Sequence, residues 1–205
     1  MKVNLPNQIT LGRLFLAVIF FFGLAQFSAH EMPAKNWLLD ACAVIFLIAA
    51  ISDIVDGYLA RKHNQVTSLG RILDPFVDKI LVLGAYVFLA GDGFVDVDGR
   101  KISDVAGWMV VVVLGRELLV TSLRGVTEAS GQSFGANIYG KAKMVLQSVT
   151  VIWILVTLSH PERLAFFALL RPYLVYLTVV VTVLSMISYL RMARGVLSQT
   201  TATTS

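Results

Sequence analysis

The sequence predicts an all-α, polytopic membrane protein with six transmembrane helices, and three observations predict it. Hydrophobic residues make up 57% of the 205 and charged residues only 15%, whereas a soluble domain carries about 25% charge. Mean hydropathy is +0.75. The apolar residues gather into six charge-free runs separated by polar, glycine- or proline-containing connections. This composition excludes a water-soluble globule, a disordered chain and a disulfide-stapled secreted domain as leading readings. The single cysteine, Cys42, excludes an internal disulfide and a cysteine-based metal site, and reads as a small apolar core residue.

Helices are expected at 6–29, 37–62, 72–91, 104–128, 139–159 and 167–191. The first is built on the run Leu14–His30. The second, third and fourth rest on Ala41–Ser52, Ile80–Gly91 and Val105–Gly115, which hold only 12, 12 and 11 residues. A hydrocarbon core of about 30 Å needs roughly 20 helical residues, so these three can span only by taking in ionisable residues. Such residues are costly at membrane depth and usually mark a site. Gly91, Asp92 and Gly93 break the chain after the third helix; Ser130, Gly131 and Gly135 break it after the fourth. The fifth uses Met144–His160 and stops at Pro161. The sixth uses Pro172–Leu190, the one run long enough unaided. Leu14–Phe27 has the length of a signal-peptide core, but five further spans favour an uncleaved helix. Residues 1–198 are expected to form one six-helix transmembrane domain, and the Thr/Ser-rich 199–205 a disordered tail.

Charge orients the bundle. Terminal segments and even-numbered loops carry Lys2, Arg13, Arg61, Lys62, Arg71, Arg124, Lys141, Lys143, Arg191 and Arg194; the opposite loops carry Lys35, Arg100, Lys101, Arg163 and Arg171. The positive-inside rule then puts both termini in the cytoplasm. The net charge of +4 is accounted for by those loops and gives no support for a nucleic-acid partner.

The most informative stretch is Ser52-Asp53-Ile54-Val55-Asp56-Gly57-Tyr58-Leu59-Ala60-Arg61, followed by Gly70-Arg71-Ile72-Leu73-Asp74-Pro75-Phe76-Val77-Asp78. Asp53 and Asp56 are i,i+3 neighbours on one helix, and Asp74 and Asp78 are i,i+4 neighbours on the next. The short connection makes the two helices antiparallel neighbours, with both pairs at the cytoplasmic end. Four carboxylates cannot all stay ionised in a partly dehydrated cleft without cations. Oxygen-only ligands suit two hard divalent ions, Mg²⁺ or Mn²⁺, the arrangement that clamps both oxygens of a phosphoryl displacement. Gly57, Ala60 and Gly70 leave room for a ligand to approach the backbone, and Arg61 offers a planar cation suited to phosphate. Solvated helix-end charges would explain any one of these aspartates but not four at helical spacing. A proton- or cation-transporter path is the stronger competitor.

The pattern Asp53-x2-Asp56-Gly57-x2-Ala60-Arg61-x8-Gly70-x3-Asp74-x3-Asp78 resembles the signature of the CDP-alcohol phosphotransferases at every fixed position. The resemblance implies a six-helix membrane fold, often a homodimer, a dinuclear metal site open to the cytoplasm, and a lipid-linked cytidine diphosphate as donor. It makes Asp78 the candidate base as well as a metal ligand, and places Gly57, Ala60, Arg61 and Gly70 around the CDP moiety. Asn4-Leu5-Pro6-Asn7-Gln8-Ile9-Thr10-Leu11-Gly12-Arg13, Gly115-Arg116-Glu117-Leu118, Ser122-Leu123-Arg124 and Gly140-Lys141-Ala142-Lys143 look like the bacterial phosphatidylglycerophosphate synthases of that family. This closer resemblance implies CDP-diacylglycerol and glycerol 3-phosphate as substrates and the cell inner membrane as location. Relatives with inositol-phosphate or serine acceptors share the metal site.

Asn7 and Thr10, with Arg13, could cap the first helix or line the donor site. Arg116 and Glu117 interrupt an apolar span. They are either an internal ion pair or part of an anion pocket with Arg124 and Lys141, suited to the phosphate of the acceptor. Asp96, Asp98 and Gly99 faintly resemble a calcium loop, but Phe94 and Val105 stand where oxygen ligands are needed, so a solvated external loop is expected. His30, His63 and His160 read as solvated at helix ends, and Trp37, Trp108 and Trp153 as packing or interfacial anchors.

Overall fold

A helix that must bury its backbone polar groups away from water satisfies them internally, and each charge-poor run does so here. The computed structural model describes the backbone of residues 5–63, 68–129 and 138–203 and the side chains of residues 10–52, 76–127 and 140–192. Among these are six α-helices: α1 (Leu5–Gln26), α2 (Asn36–His63), α3 (Ser68–Leu89), α4 (Gly107–Ala129), α5 (Ile138–Ser159) and α6 (Ala165–Thr203). The shortest have 22 residues, about 33 Å at 1.5 Å per residue. α4 runs unbroken through Arg116 and Glu117. It begins at Gly107 rather than 104 because Ser103 and Asp104 make a turn: Ser103 Oγ donates to Leu89 O (2.6 Å) and accepts from Val105 N (3.2 Å), while Asp104 has φ 60°. α6 continues to Thr203, into the segment expected to be disordered. Extending an existing helix adds one hydrogen bond per residue fixed, without a new nucleus.

The helices close into a ring. α1 packs on α2 and α3, α2 on α5, α5 on α6, α6 on α4, and α4 on α3, which also touches α5. Phe20, Leu24, Leu39, Phe46, Leu89 and Ile154 fill the centre. Small residues leave room for side chains of the neighbouring helix. A Cβ on Gly84 would stand 2.3 Å from Phe21 Cζ, and one on Gly23 2.7 Å from Cys42 Sγ. Cys42 is buried in that core, as its apolar surroundings lead one to expect. Outward, Phe15, Phe22, Val111, Leu118, Leu169 and Leu184 are exposed, an apolar surface on many faces that water would not tolerate and lipid does. Among the described residues, Gly140–Ser159 and Ala165–Met192 are each long and apolar enough to cross a membrane, and Thr10–Gln26 and Asn36–Ser52 are shorter apolar stretches.

One end of the ring is tied by loops. Asn36 Nδ2 donates to Ser159 O (2.9 Å), and Ser159 Oγ donates back to Asn36 O (3.2 Å), stitching the start of α2 to the end of α5. The α3–α4 connection folds into a small hairpin with a bridge between Val95 and Lys101. Asp96 accepts the backbone N–H groups of Asp98 (2.9 Å) and Arg100 (2.8 Å), so its carboxylate closes a turn. Phe94 packs on Phe27, with centroids 4.9 Å apart, and Arg171 Nε donates to Asp104 Oδ2 at 2.5 Å. The loop is therefore more anchored than a solvated connection. Trp37 and Trp108 lie exposed at this end, and Trp153 donates to Phe167 O at 3.1 Å. His160 Nε2 approaches Asp40 Oδ1 at 3.3 Å.

Candidate active site

At the other end, α3, α4, α5 and α6 enclose a cavity of about 530 Å³. Helical periodicity decides which side chains reach it. On α4, Arg116, Val120 and Arg124 recur every four residues and line one wall; on α5, Lys143 and Gln147 do the same; α3 contributes Asp78 and Lys79, and α6 contributes Tyr189. Lys141 and Gly140 complete the rim at the start of α5. Among the described residues, five cations (Lys79, Arg116, Arg124, Lys141 and Lys143) thus face two carboxylates (Asp78 and Glu117). A cavity with that excess of positive charge attracts anions.

The buried charges are organised by hydrogen bonds. Glu117 sits between two cations: Arg116 Nη1 donates to its Oε1 at 2.8 Å, and Lys143 Nζ donates to the same oxygen. Arg116 Nη2 donates to Ser185 Oγ of α6 at 2.7 Å, and Arg124 Nη2 to the Tyr189 hydroxyl at 2.9 Å. The internal ion pair expected of Arg116 and Glu117 is present, and both residues line the cavity together with Arg124 and Lys141. The Nε atoms of Arg116 and Arg124 are buried with no hydrogen-bond partner among the described residues, and an unsatisfied buried donor costs about 1–3 kcal/mol. Deeper in the bundle a polar column continues from the cavity floor. Gln147 Nε2 donates to Thr182 Oγ1 (3.3 Å), and Thr150 and Thr178 share a hydrogen bond of 2.7 Å.

Of the residues singled out from sequence, the structure brings Asp78, Arg116, Arg124 and Lys141 into this one cavity. Thr10 is buried on α1, as is Arg13, and Thr10 is not among the cavity's lining residues. Asp53 and Asp56 fall within α2, and Asp74 falls with Asp78 within α3. The side chains of Asn7, Asp53, Asp56, Gly57, Ala60, Arg61, Gly70 and Asp74 lie outside the described residues. Among the described residues no three His, Cys, Asp or Glu side chains gather, and only one of the four signature carboxylates is among them. The donor set itself, carboxylate oxygens in two helical pairs, fits hard divalent ions. Lys143, Gln147, Ser185 and Tyr189 were not foreseen as site residues. A lysine and a glutamine four apart at the start of an otherwise apolar helix was a readable signal for the first two; Ser185 and Tyr189 gave none.

Known proteins are similar to this chain over most of its length. The profile of the CDP-alcohol phosphatidyltransferase family matches residues 3–184. A Bacillus subtilis (strain 168) protein named CDP-diacylglycerol–glycerol-3-phosphate 3-phosphatidyltransferase is 37% identical over 156 residues, 72% of this chain and 74% of its own length. Proteins of the same name from Yersinia pestis (strain Pestoides F) and Salmonella choleraesuis (strain SC-B67) are 33% and 32% identical. They cover 94% and 95% of this chain and 96% and 97% of their own lengths. Similarity that runs end to end leaves no place for the transporter reading of the acidic helices. By its signature, its all-helical architecture and these matches, the chain belongs to the CDP-alcohol phosphatidyltransferase family.

Proposed function

We propose that this protein transfers the phosphatidyl group of CDP-diacylglycerol to sn-glycerol 3-phosphate, releasing CMP and forming phosphatidylglycerophosphate. The observation that carries the reading is the cation-rich cavity beside Asp78. A phosphorylated acceptor needs positive charge for its phosphate and a carboxylate near its reacting hydroxyl, and the cavity has both. The relatives' name supplies the substrates.

In this reading Asp53, Asp56, Asp74 and Asp78 hold two divalent cations, Mg²⁺ or Mn²⁺. When bound, these supply charge neutralisation on the donor pyrophosphate. Gly57, Ala60, Arg61 and Gly70, with Asn7 and Thr10, hold the CDP moiety, while the acyl chains stay in the bilayer. Arg116, Arg124 and Lys141 grip the acceptor phosphate and leave its hydroxyl toward Asp78. The hydroxyl oxygen forms a bond to the phosphatidyl phosphorus as the bond from that phosphorus to the CMP oxygen breaks. Asp78 takes the hydroxyl proton. Orientation supplies much of the rate, because the acceptor arrives already aligned.

The six helices are read as six spans across the cell inner membrane, with termini and site on the cytoplasmic face, where Lys and Arg are in excess. Membrane lipids are its surroundings and a second copy of the chain its partner, as the family resemblance implies. Purified protein given CDP-diacylglycerol and Mg²⁺ should release CMP only when glycerol 3-phosphate is added, and the lipid product should have the mass of phosphatidylglycerophosphate. CMP release with serine or inositol phosphate at a comparable rate would overturn the acceptor assignment.

A further inference from the structure

Tyr189 lies on α6, in a run without charge from Pro172 to Leu190, yet its side chain is buried against the cavity. Its hydroxyl accepts Arg124 Nη2 at 2.9 Å. The guanidinium carbons of Arg116 and Arg124 stand 5.3 and 5.4 Å from its ring centroid. Two guanidinium groups repel one another, and a ring quadrupole attracts both. Ser185, one turn earlier on α6, takes Arg116 Nη2 at 2.7 Å, and Glu117 holds Arg116 Nη1 at 2.8 Å. With those bonds made, both arginines still keep a buried Nε that has no hydrogen-bond partner among the described residues. Gly140 gives the tyrosine room, since a Cβ there would stand 3.0 Å from its hydroxyl. Two unsatisfied cationic donors fixed about one ring match an anion with several acceptor oxygens.

We infer that Tyr189 is a positioning residue: it sets the spacing of Arg116 and Arg124 for a phosphomonoester dianion and thereby the preference for a phosphorylated over an unphosphorylated acceptor. The inference rests on the proposed reaction only in taking that phosphomonoester to be the acceptor's. The cavity chemistry recognises glycerol 3-phosphate and inorganic phosphate alike.

The test uses the full chain in detergent, as wild type, Tyr189→Phe and Tyr189→Leu, with two measurements. The first is the thermal unfolding midpoint with glycerol 3-phosphate, inorganic phosphate or glycerol. The second is KM for each substrate. Both phosphates should raise the wild-type midpoint and glycerol should not. Tyr189→Phe, which keeps the ring and loses one bond to a charged group, should raise the acceptor KM a few-fold. Tyr189→Leu, which loses both, should raise it about tenfold or more, with the donor KM within about twofold. It should also lose the phosphate-dependent shift. Rescue by Phe relative to Leu, confined to the acceptor, is what ring spacing requires and a general folding defect would not produce. An unchanged acceptor KM and shift in Tyr189→Leu, a parallel rise in both KM values, or no wild-type shift with either phosphate would overturn the inference. A wild-type phosphate shift without any phosphatidylglycerophosphate formed would instead sink the proposed reaction and leave the role of Tyr189 standing.

Discussion

Glu117 is the residue on which the buried charges of the site depend. It is 8% exposed, and Arg116 and Lys143 both donate to one of its oxygens. Removing one partner of a buried ion pair costs about 3–5 kcal/mol, because the other charge is left uncompensated. Glu117→Gln should therefore lower the thermal midpoint in detergent well beyond what Lys141→Ala does, since Lys141 is exposed at the rim. The signature aspartates should behave in the opposite way. If they hold the proposed metal ions, Asp53→Asn, Asp56→Asn and Asp74→Asn each remove a ligand's charge and keep its size, so turnover should nearly vanish while the protein stays folded and membrane-inserted. Near-normal activity in any two of them at ordinary Mg²⁺ would contradict a dinuclear site. These residues stand out in the sequence because charge inside an apolar run is expensive and so seldom accidental. Tyr189 could not: a tyrosine near the end of an apolar helix looks like an interfacial anchor, and its two arginine partners are 65 or more residues away.

Among the helices, composition gave the number of elements and most of their ends. Glycine, proline and polar clusters are local signals, and local signals are what a linear reading can use. Two of the departures have local causes too. The Ser103 turn delays α4, and α6 propagates past its apolar run. Close approach between helices was not legible, because it depends on which faces meet. Gly84 meets Phe21 of α1, whose ring stacks on Phe88 with centroids 5.6 Å apart. Gly84→Val should then destabilise the α1–α3 contact by about 1–3 kcal/mol, the usual range for overpacking, with a lower thermal midpoint as the readout. Helix direction gives a second test at this scale. In a Cys42→Ala background, cysteines placed near His63 and Gly131 should react with an impermeant reagent from the cytoplasmic side, and one near Asp96 from the opposite side only. Cytoplasmic labelling near Asp96 would contradict the six-span arrangement.

At the scale of the whole molecule, the ring order α1, α2, α5, α6, α4, α3 is the feature the sequence could not supply. Neighbours in the chain are easily guessed to be neighbours in space, but α2 against α5 and α4 against α6 are not. That order is what turns Arg116 and Arg124 on α4, Lys141 on α5 and Asp78 on α3 into one cavity. In the proposed reaction this cavity holds the phosphate of the acceptor. A phosphate that takes no part in bond making is held about equally in ground and transition states, so loss of its ligand shows mainly in the acceptor KM. The most direct measurement is the pair of KM values for Arg124→Ala, with glycerol 3-phosphate and CDP-diacylglycerol varied in turn. The acceptor KM should rise about tenfold or more, as for a lost hydrogen bond to a charged group, and the donor KM should stay close to wild type. A weakened CDP-diacylglycerol KM with glycerol 3-phosphate untouched would contradict it.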